Sequence, residues 1–184
     1  MKLYFIIALI LLLGCNASPI QSSGSSGSSP PVITGDAFVA FVSDAKVIEF
    51  AKDEIAEVNP TAIIFKIRGQ RNTGVLPFPN GESDRLTIYA SSLSNRFQTI
   101  VFDYSKFDGW SIEMIGQVEG NSFDATSIEM TEILARSTLN AAGYRSSDFF
   151  VWTLYHPDGF LRPVYTFGQD IVAVDTHTRE VYVD

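Results

Sequence analysis

The chain is poor in the residues that hold metals and cross-links: 184 residues contain one cysteine and two histidines. No intrachain disulfide can form, so stability has to come from packing. His156 and His177 stand in predicted turns, outside any zinc-helix motif or nucleophile elbow. Pro157-Asp158 and Asp175-Thr176 beside them are ordinary turn residues. Basic residues are also scarce, 13 against 21 acidic, for a net charge of −8. A surface of that sign repels phosphate backbones, which argues against nucleic acid as a partner. No glycine-rich loop precedes a helix, so nucleotide binding has no support. Glu113, Glu119 and Asp124 read as a solvated acidic surface, because a glycosidase pair must converge on a cleft. No catalytic residue, metal ligand or cofactor is expected, and the chain reads as a non-enzyme. It also lacks a membrane-spanning run: the uncharged stretch Leu3–Leu13 has roughly 11 residues, and a helix needs about 20 to cross the bilayer.

That short stretch is nevertheless informative. Lys2 precedes it, and Leu12-Leu13-Gly14-Cys15 closes it, which is the anatomy of a cleaved signal peptide. The four residues resemble the lipobox of bacterial lipoproteins. The resemblance implies a diacylglycerol on the Cys15 sulfur, cleavage before Cys15 and acylation of the new amino terminus. Two or three acyl chains anchor stably where one does not. Removing the signal peptide takes Lys2 with it and leaves 12 basic against 21 acidic residues, or −9. From Ala17 to Pro31 nearly every residue is Ser, Gly or Pro. Such a composition makes a flexible tether, spanning roughly 20 Å. The expected location is the cell envelope. Asn16 in place of aspartate points to the outer membrane where the source has one, and otherwise the anchor sits on the outer face of the plasma membrane.

Beyond the tether, 46% hydrophobic residues and 14 phenylalanines suffice for a packed core. Phe38, Phe41, Ala45, Ile48, Ala51, Ile55 and Val58 recur at helical spacing and stop at Asn59-Pro60. Alternatively, Phe38–Val42 is a strand, and Ser43 or Asp44 caps a shorter helix. A second helix is expected over Ala125–Ala142, capped by Asp124 or Thr126, with Thr126 and Glu129 as a capping box and Gly143 as the left-handed stop. Its buried stripe would be Ile128, Thr131, Ala135, Leu139 and Ala142. Strands are expected near Ala62–Arg68, Leu86–Ala90, Thr99–Tyr104, Trp110–Ile115, Asp148–Tyr155, Arg162–Phe167, Asp170–Asp175 and Glu180–Val183. The order helix, then four strands, occurs twice. This predicts an α+β fold of two helix-plus-antiparallel-sheet repeats.

Pro163-Val164-Tyr165-Thr166-Phe167, followed by Ile171–Val181 with Val174-Asp175-Thr176-His177-Thr178-Arg179-Glu180-Val181, resembles the C-terminal half of a PepSY domain. The resemblance covers about the last third of the chain. Arg179 stands where that family usually has glycine, so the same positive-φ turn is not assumed there. A competing likeness is the fold of the β-lactamase inhibitory proteins. The expected organisation is a signal peptide over 1–14, lipidated cysteine and tether over 15–31, a first PepSY-like repeat over 32–120 and a second over 121–184. The resemblance implies a protein that inhibits or chaperones secreted peptidases, and it carries over no catalytic residues.

The candidate contact residues are apolar. Val75, Leu76 and Phe78 stand in the long segment Gly69–Asp84, stiffened by Pro77 and Pro79, and long loops of this kind often bind. Trp110, beside Asp108-Gly109, is equally placed for core or contact, whereas Phe149 and Trp152 read more as core than as contact. The expected function is a lipid-anchored binding module whose partners are the membrane, through its lipid, and an envelope protein or peptide. The alternative is a structural or adhesive envelope lipoprotein. Replacing Cys15 by Ser removes the only thiol, so the variant should remain an uncleaved precursor that takes up no label from a fatty-acid analogue. Labelling equal to wild type would contradict the lipobox assignment.

Overall fold

The computed structural model describes residues 33–35, 43–71, 82–92, 97–118, 123–168 and 171–183. Two α-helices and nine strands occur among them: β1 (Ile33–Gly35), α1 (Asp44–Val58), β2 (Ala62–Gln70), β3 (Arg85–Ser92), β4 (Gln98–Ser105), β5 (Gly109–Gly116), α2 (Glu132–Ala141), β6 (Val151–Tyr155), β7 (Val164–Phe167), β8 (Val172–Asp175) and β9 (Val181–Val183). All nine strands form one antiparallel sheet in the order β1-β5-β4-β3-β2-β6-β7-β8-β9. The expected two helix-plus-sheet repeats are thereby corrected. There is one continuous sheet, because β2 and β6 pair through Ile67↔Leu154, Arg68↔Thr153, Gly69↔Trp152 and Gln70↔Val151. Joining two sheets this way removes two edges whose backbone groups would otherwise lack partners.

Register explains why the core is continuous across that seam. One row of residues opposite one another runs Val181, Val174, Tyr165, Leu154, Ile67, Ile88, Phe102, Ile112; the next runs Val183, Val172, Phe167, Trp152, Gly69, Leu86, Tyr104, Trp110. Side chains in such rows share a face. Most of these join one buried cluster with Val47, Ala51 and Ile55 of α1 and Ala135 and Leu139 of α2. A bulge between Ile64 and Lys66 shifts the register of β2 and turns Ile67 and Gly69 toward this face. The seam leaves no room to spare: a Cβ on Gly69 would overlap the Trp152 indole and fall 2.6 Å from Ser83 Oγ.

The first helix takes the shorter of its two expected forms, Phe38–Val42 lying outside the described residues, and the second begins later than periodicity suggests. In α1, Ser43 is the N-cap and the buried face is Asp44, Val47, Ala51 and Ile55, while Ala45 is exposed. The helix stops at Asn59, as Asn59-Pro60 requires. The helix expected over Ala125–Ala142 is corrected to Glu132–Ala141. Asp124 caps only a 3-10 turn, Ala125–Ser127, and Ile128 is extended. Thr131 then starts the α-helix, its hydroxyl accepting the Leu134 N–H at 3.3 Å. The Thr126–Glu129 box is therefore not the cap of this helix. Its end is as expected: Gly143 takes φ 91°, with Gly143 N–H on Asn140 O at 3.1 Å and Tyr144 N–H on Leu139 O at 3.0 Å.

Strand boundaries agree closely elsewhere, except that β6 starts at Val151, after a 3-10 turn at Ser146–Asp148. The Arg136 guanidinium holds that turn, donating to the carbonyls of Ser146 at 2.5 Å and Phe149 at 3.1 Å. Arg179 does adopt positive φ, 63°, in the hairpin joining β8 and β9. Its N–H bonds Asp175 O at 3.1 Å, and the Asp175 carboxylate accepts the N–H groups of His177 and Thr178 at 2.7 Å each. These bonds offset a left-handed conformation that costs an L-residue about 1–2 kcal/mol.

Replacing Gly69 by Ala should destabilise the protein by about 2–3 kcal/mol in a urea melt. The smaller chain entropy of Ala works in the opposite direction by only ~0.4–1 kcal/mol. A variant as stable as wild type would show that the indole does not rest on this backbone.

Candidate functional site

Both helix starts converge on one cleft of about 450 Å³ on the helical side of the sheet. Ser43 and Asp44 stand at one end of α1, Thr131 and Glu132 at the start of α2, and Ile67, Trp152, Leu154 and Tyr165 form the floor. Ile48, Ile128 and Met130 complete apolar walls. The polar end is tied together by long-range bonds. Asp44 accepts Ser83 N–H at 2.6 Å and Ser83 Oγ–H at 2.8 Å; Ser83 Oγ accepts Trp152 Nε1–H at 3.2 Å. Tyr165 donates its hydroxyl to Met130 O at 2.9 Å.

Behind this end lies a charged cluster. Glu132 Oε1 accepts from Arg71 Nη2 at 3.3 Å and, one turn along α2, from Arg136 Nε. Among the described residues, Arg71 Nε, Glu132 Oε2 and Arg136 Nη2 are buried without a partner. Burial dominates the electrostatics of Asp44: it pushes the carboxyl up to about 7, although both Ser83 bonds work the other way. Glu132 adds to the rise and Arg71 opposes it. Burial likewise pushes the Tyr165 phenol up, with Glu132 and Asp44 reinforcing it.

The opposite face of the sheet carries a second hollow of about 420 Å³, lined by charges of both signs. Within it Arg85 faces Asp103 at 3.9 Å, and Thr87 donates to Asp103 at 2.8 Å. Alongside, Lys66 lies over the rings of Tyr89 and Tyr155, at 5.6 and 5.4 Å.

Of the residues singled out from sequence, Cys15, Val75, Leu76 and Phe78 lie outside the described residues. Trp110 is half-buried at the margin of the core, stacked on Phe102 at 5.6 Å and edge-on to Phe50 at 5.4 Å. Trp152 is fully buried, and Phe149 packs against Phe167 at 6.3 Å. His156 bonds Phe160 O at 2.8 Å and His177 donates its backbone N–H to Asp175, both within turns. Among the described residues no group of three or more His, Cys, Asp or Glu side chains could hold a metal ion. Sequence reasoning missed Asp44 and Glu132 as buried groups, since an acid in the first helical turn is ordinarily explained by the helix dipole. A comparison with protein-family models, curated proteins and solved structures finds no match to this chain.

Asp44 makes stability depend on pH. Its carboxyl holds a proton up to about 7 in the fold but only to about 3.9 when unfolded. The folded state therefore binds the extra proton between these values, and stability falls as pH rises from about 4 through about 7. Glu132, Arg71, Arg136, Tyr104 and Tyr165 are the ionisable groups coupled to it. Asp44→Asn should gain on wild type when urea melts move from about pH 5 to about pH 8. A difference between the two proteins that does not change with pH would show that Asp44 titrates normally.

Proposed function

We propose that the chain is a lipid-anchored envelope module that binds another envelope protein or peptide and catalyses no reaction. The anchor rests on Lys2, the short apolar stretch and Leu12-Leu13-Gly14-Cys15, with the Ser/Gly/Pro tether after it. A role in inhibiting or chaperoning a secreted peptidase would follow from the PepSY resemblance of the last third of the chain.

The observation that carries the binding reading is the border of the sheet at β9. This strand pairs with β8 and is last in the sheet order. Its three residues are Val181, Tyr182 and Val183, and Val183 is 55% exposed. Phe160 packs edge-on against Tyr182 at 5.8 Å, Leu161 beside it is 98% exposed, and Ile171 is exposed just before β8. Edge strands of soluble proteins are usually blunted by charge, proline or a covering segment. A strand of Val181, Tyr182 and Val183 bordered by exposed apolar side chains suits the addition of an extended strand from a partner, although Glu180 beside it accepts the Tyr182 hydroxyl at 2.7 Å. Backbone bonds would supply affinity and the apolar side chains specificity.

A photo-crosslinking residue at position 182 of the anchored protein in its native envelope should give one discrete heterologous adduct. Leu161→Lys should abolish that adduct while leaving the far-UV spectrum unchanged. The same adduct from position 46, which is exposed on α1, or no adduct from position 182, would refute the edge as the binding surface.

A further inference from the structure

We infer that the cleft between the helices is a binding site for a small amphiphilic cation, an apolar body carrying one ammonium group. The cleft measures about 450 Å³. That size is within the range of small-ligand sites. Ile48, Ile67, Ile128 and Leu154 make its walls apolar, so burying an aliphatic or aromatic body there is favourable at ~25 cal/mol per Å². The rings of Trp152 and Tyr165, 5.7 Å apart, line the same floor and add faces on which a cation is attracted.

Charge decides the head group. Three carboxyl side chains line the cleft, Asp44, Glu49 and Glu132, against one ammonium, Lys52. Glu132 already has Arg71 and Arg136. Glu49 and Lys52 are three apart on α1, the spacing at which opposite charges offset one another. Asp44 is buried, accepts two bonds from Ser83 and makes no direct salt bridge among the described residues; Arg71, which opposes its rise, is already paired with Glu132. Burying a carboxylate that forms no direct ion pair is costly, and an ammonium group in the cleft supplies that contact. An anionic head would meet Asp44 and Glu132 as like charges. An uncharged head would leave Asp44 as it is. Because burial holds the Asp44 carboxyl up at about 7, the preference for a cation strengthens as pH rises through that value. The groups coupled to it are Glu132, Arg71, Arg136, Tyr104 and Tyr165.

The test is to titrate the protein with octylammonium, octanol and octanoate, following isoleucine methyl resonances by NMR. At about pH 8, octylammonium should bind about tenfold more tightly than either analogue, as one charge-assisted hydrogen bond provides. The preference should shrink to within about twofold at about pH 5.5 and in Asp44→Asn. Ile48→Trp, which fills the cleft and keeps the carboxyl, should abolish binding of all three, and it serves if Asp44→Asn fails to fold. Equal affinity for the three compounds, no binding of octylammonium, or a preference that survives in Asp44→Asn would each overturn the inference. So would undiminished binding to Ile48→Trp.

Discussion

The indole of Trp152 lying against Gly69 is the contact on which the rest of the structure depends. The two residues are register partners across the β2–β6 seam, and the space a Cβ would need at position 69 is filled by the ring. From there the indole N–H reaches Ser83, and Ser83 reaches Asp44 at the first turn of α1. One buried aromatic side chain thus joins the two central strands, the chain segment entering β3 and the start of a helix. A larger residue at 69 would push the ring off the seam. A smaller one at 152 would take from Ser83 Oγ its indole donor and empty the floor of the cleft, at a cost of several kcal/mol of the kind seen for large-to-small core changes.

The same packing explains why a pocket exists there. Both helices lie on one face of the sheet, and the starts of both meet above Ile67, Trp152 and Leu154. Side chains at those starts are short and polar, Ser43 and Thr131 being the N-caps, so they do not fill the space over the apolar floor. Asp44 is buried at its margin because the Ser83 bonds hold it there, and its displaced proton affinity is the electrostatic result. At the far border of the sheet the situation is reversed. β9 is three residues long and last in the sheet, and its Tyr182 and Val183 are exposed. The two features have different chemistry, one a half-open apolar cleft with a buried carboxyl at its margin, the other a strand at the border of the sheet.

Much of the local structure is legible in the sequence. The strand segments follow from alternation of β-branched and aromatic residues, the end of α1 from Asn59-Pro60, and the end of α2 from Gly143, because each rests on local backbone chemistry. The start of α2 is not legible in the same way. Asp124 is a good cap, but the element it opens is a single 3-10 turn, and Thr131, a core position by spacing, serves as the true cap. The single sheet leaves no local trace either, since β2–β6 pairing joins residues more than eighty positions apart. Gly69 offers a clue: a glycine inside a strand often marks close approach of another group, although in sequence it reads equally as the start of the long segment Gly69–Asp84. Asp44, Ser83 and Glu132 cannot be recognised as a buried set from sequence, because the bonds Asp44–Ser83, Ser83–Trp152 and Arg71–Glu132 span 39 to 69 residues.

The central claim is that the seam makes the two halves of the sheet one cooperative unit. Trp110 and Trp152 report on opposite sides of it, on β5 and β6, so the protein labelled with 5-fluorotryptophan gives one ¹⁹F resonance from each. Followed through a urea titration, both native resonances should disappear with a single midpoint and slope, as a two-state domain requires. If the Trp110 resonance and the Trp152 resonance vanish at separate midpoints, the halves unfold independently, and the seam does not hold the structure together.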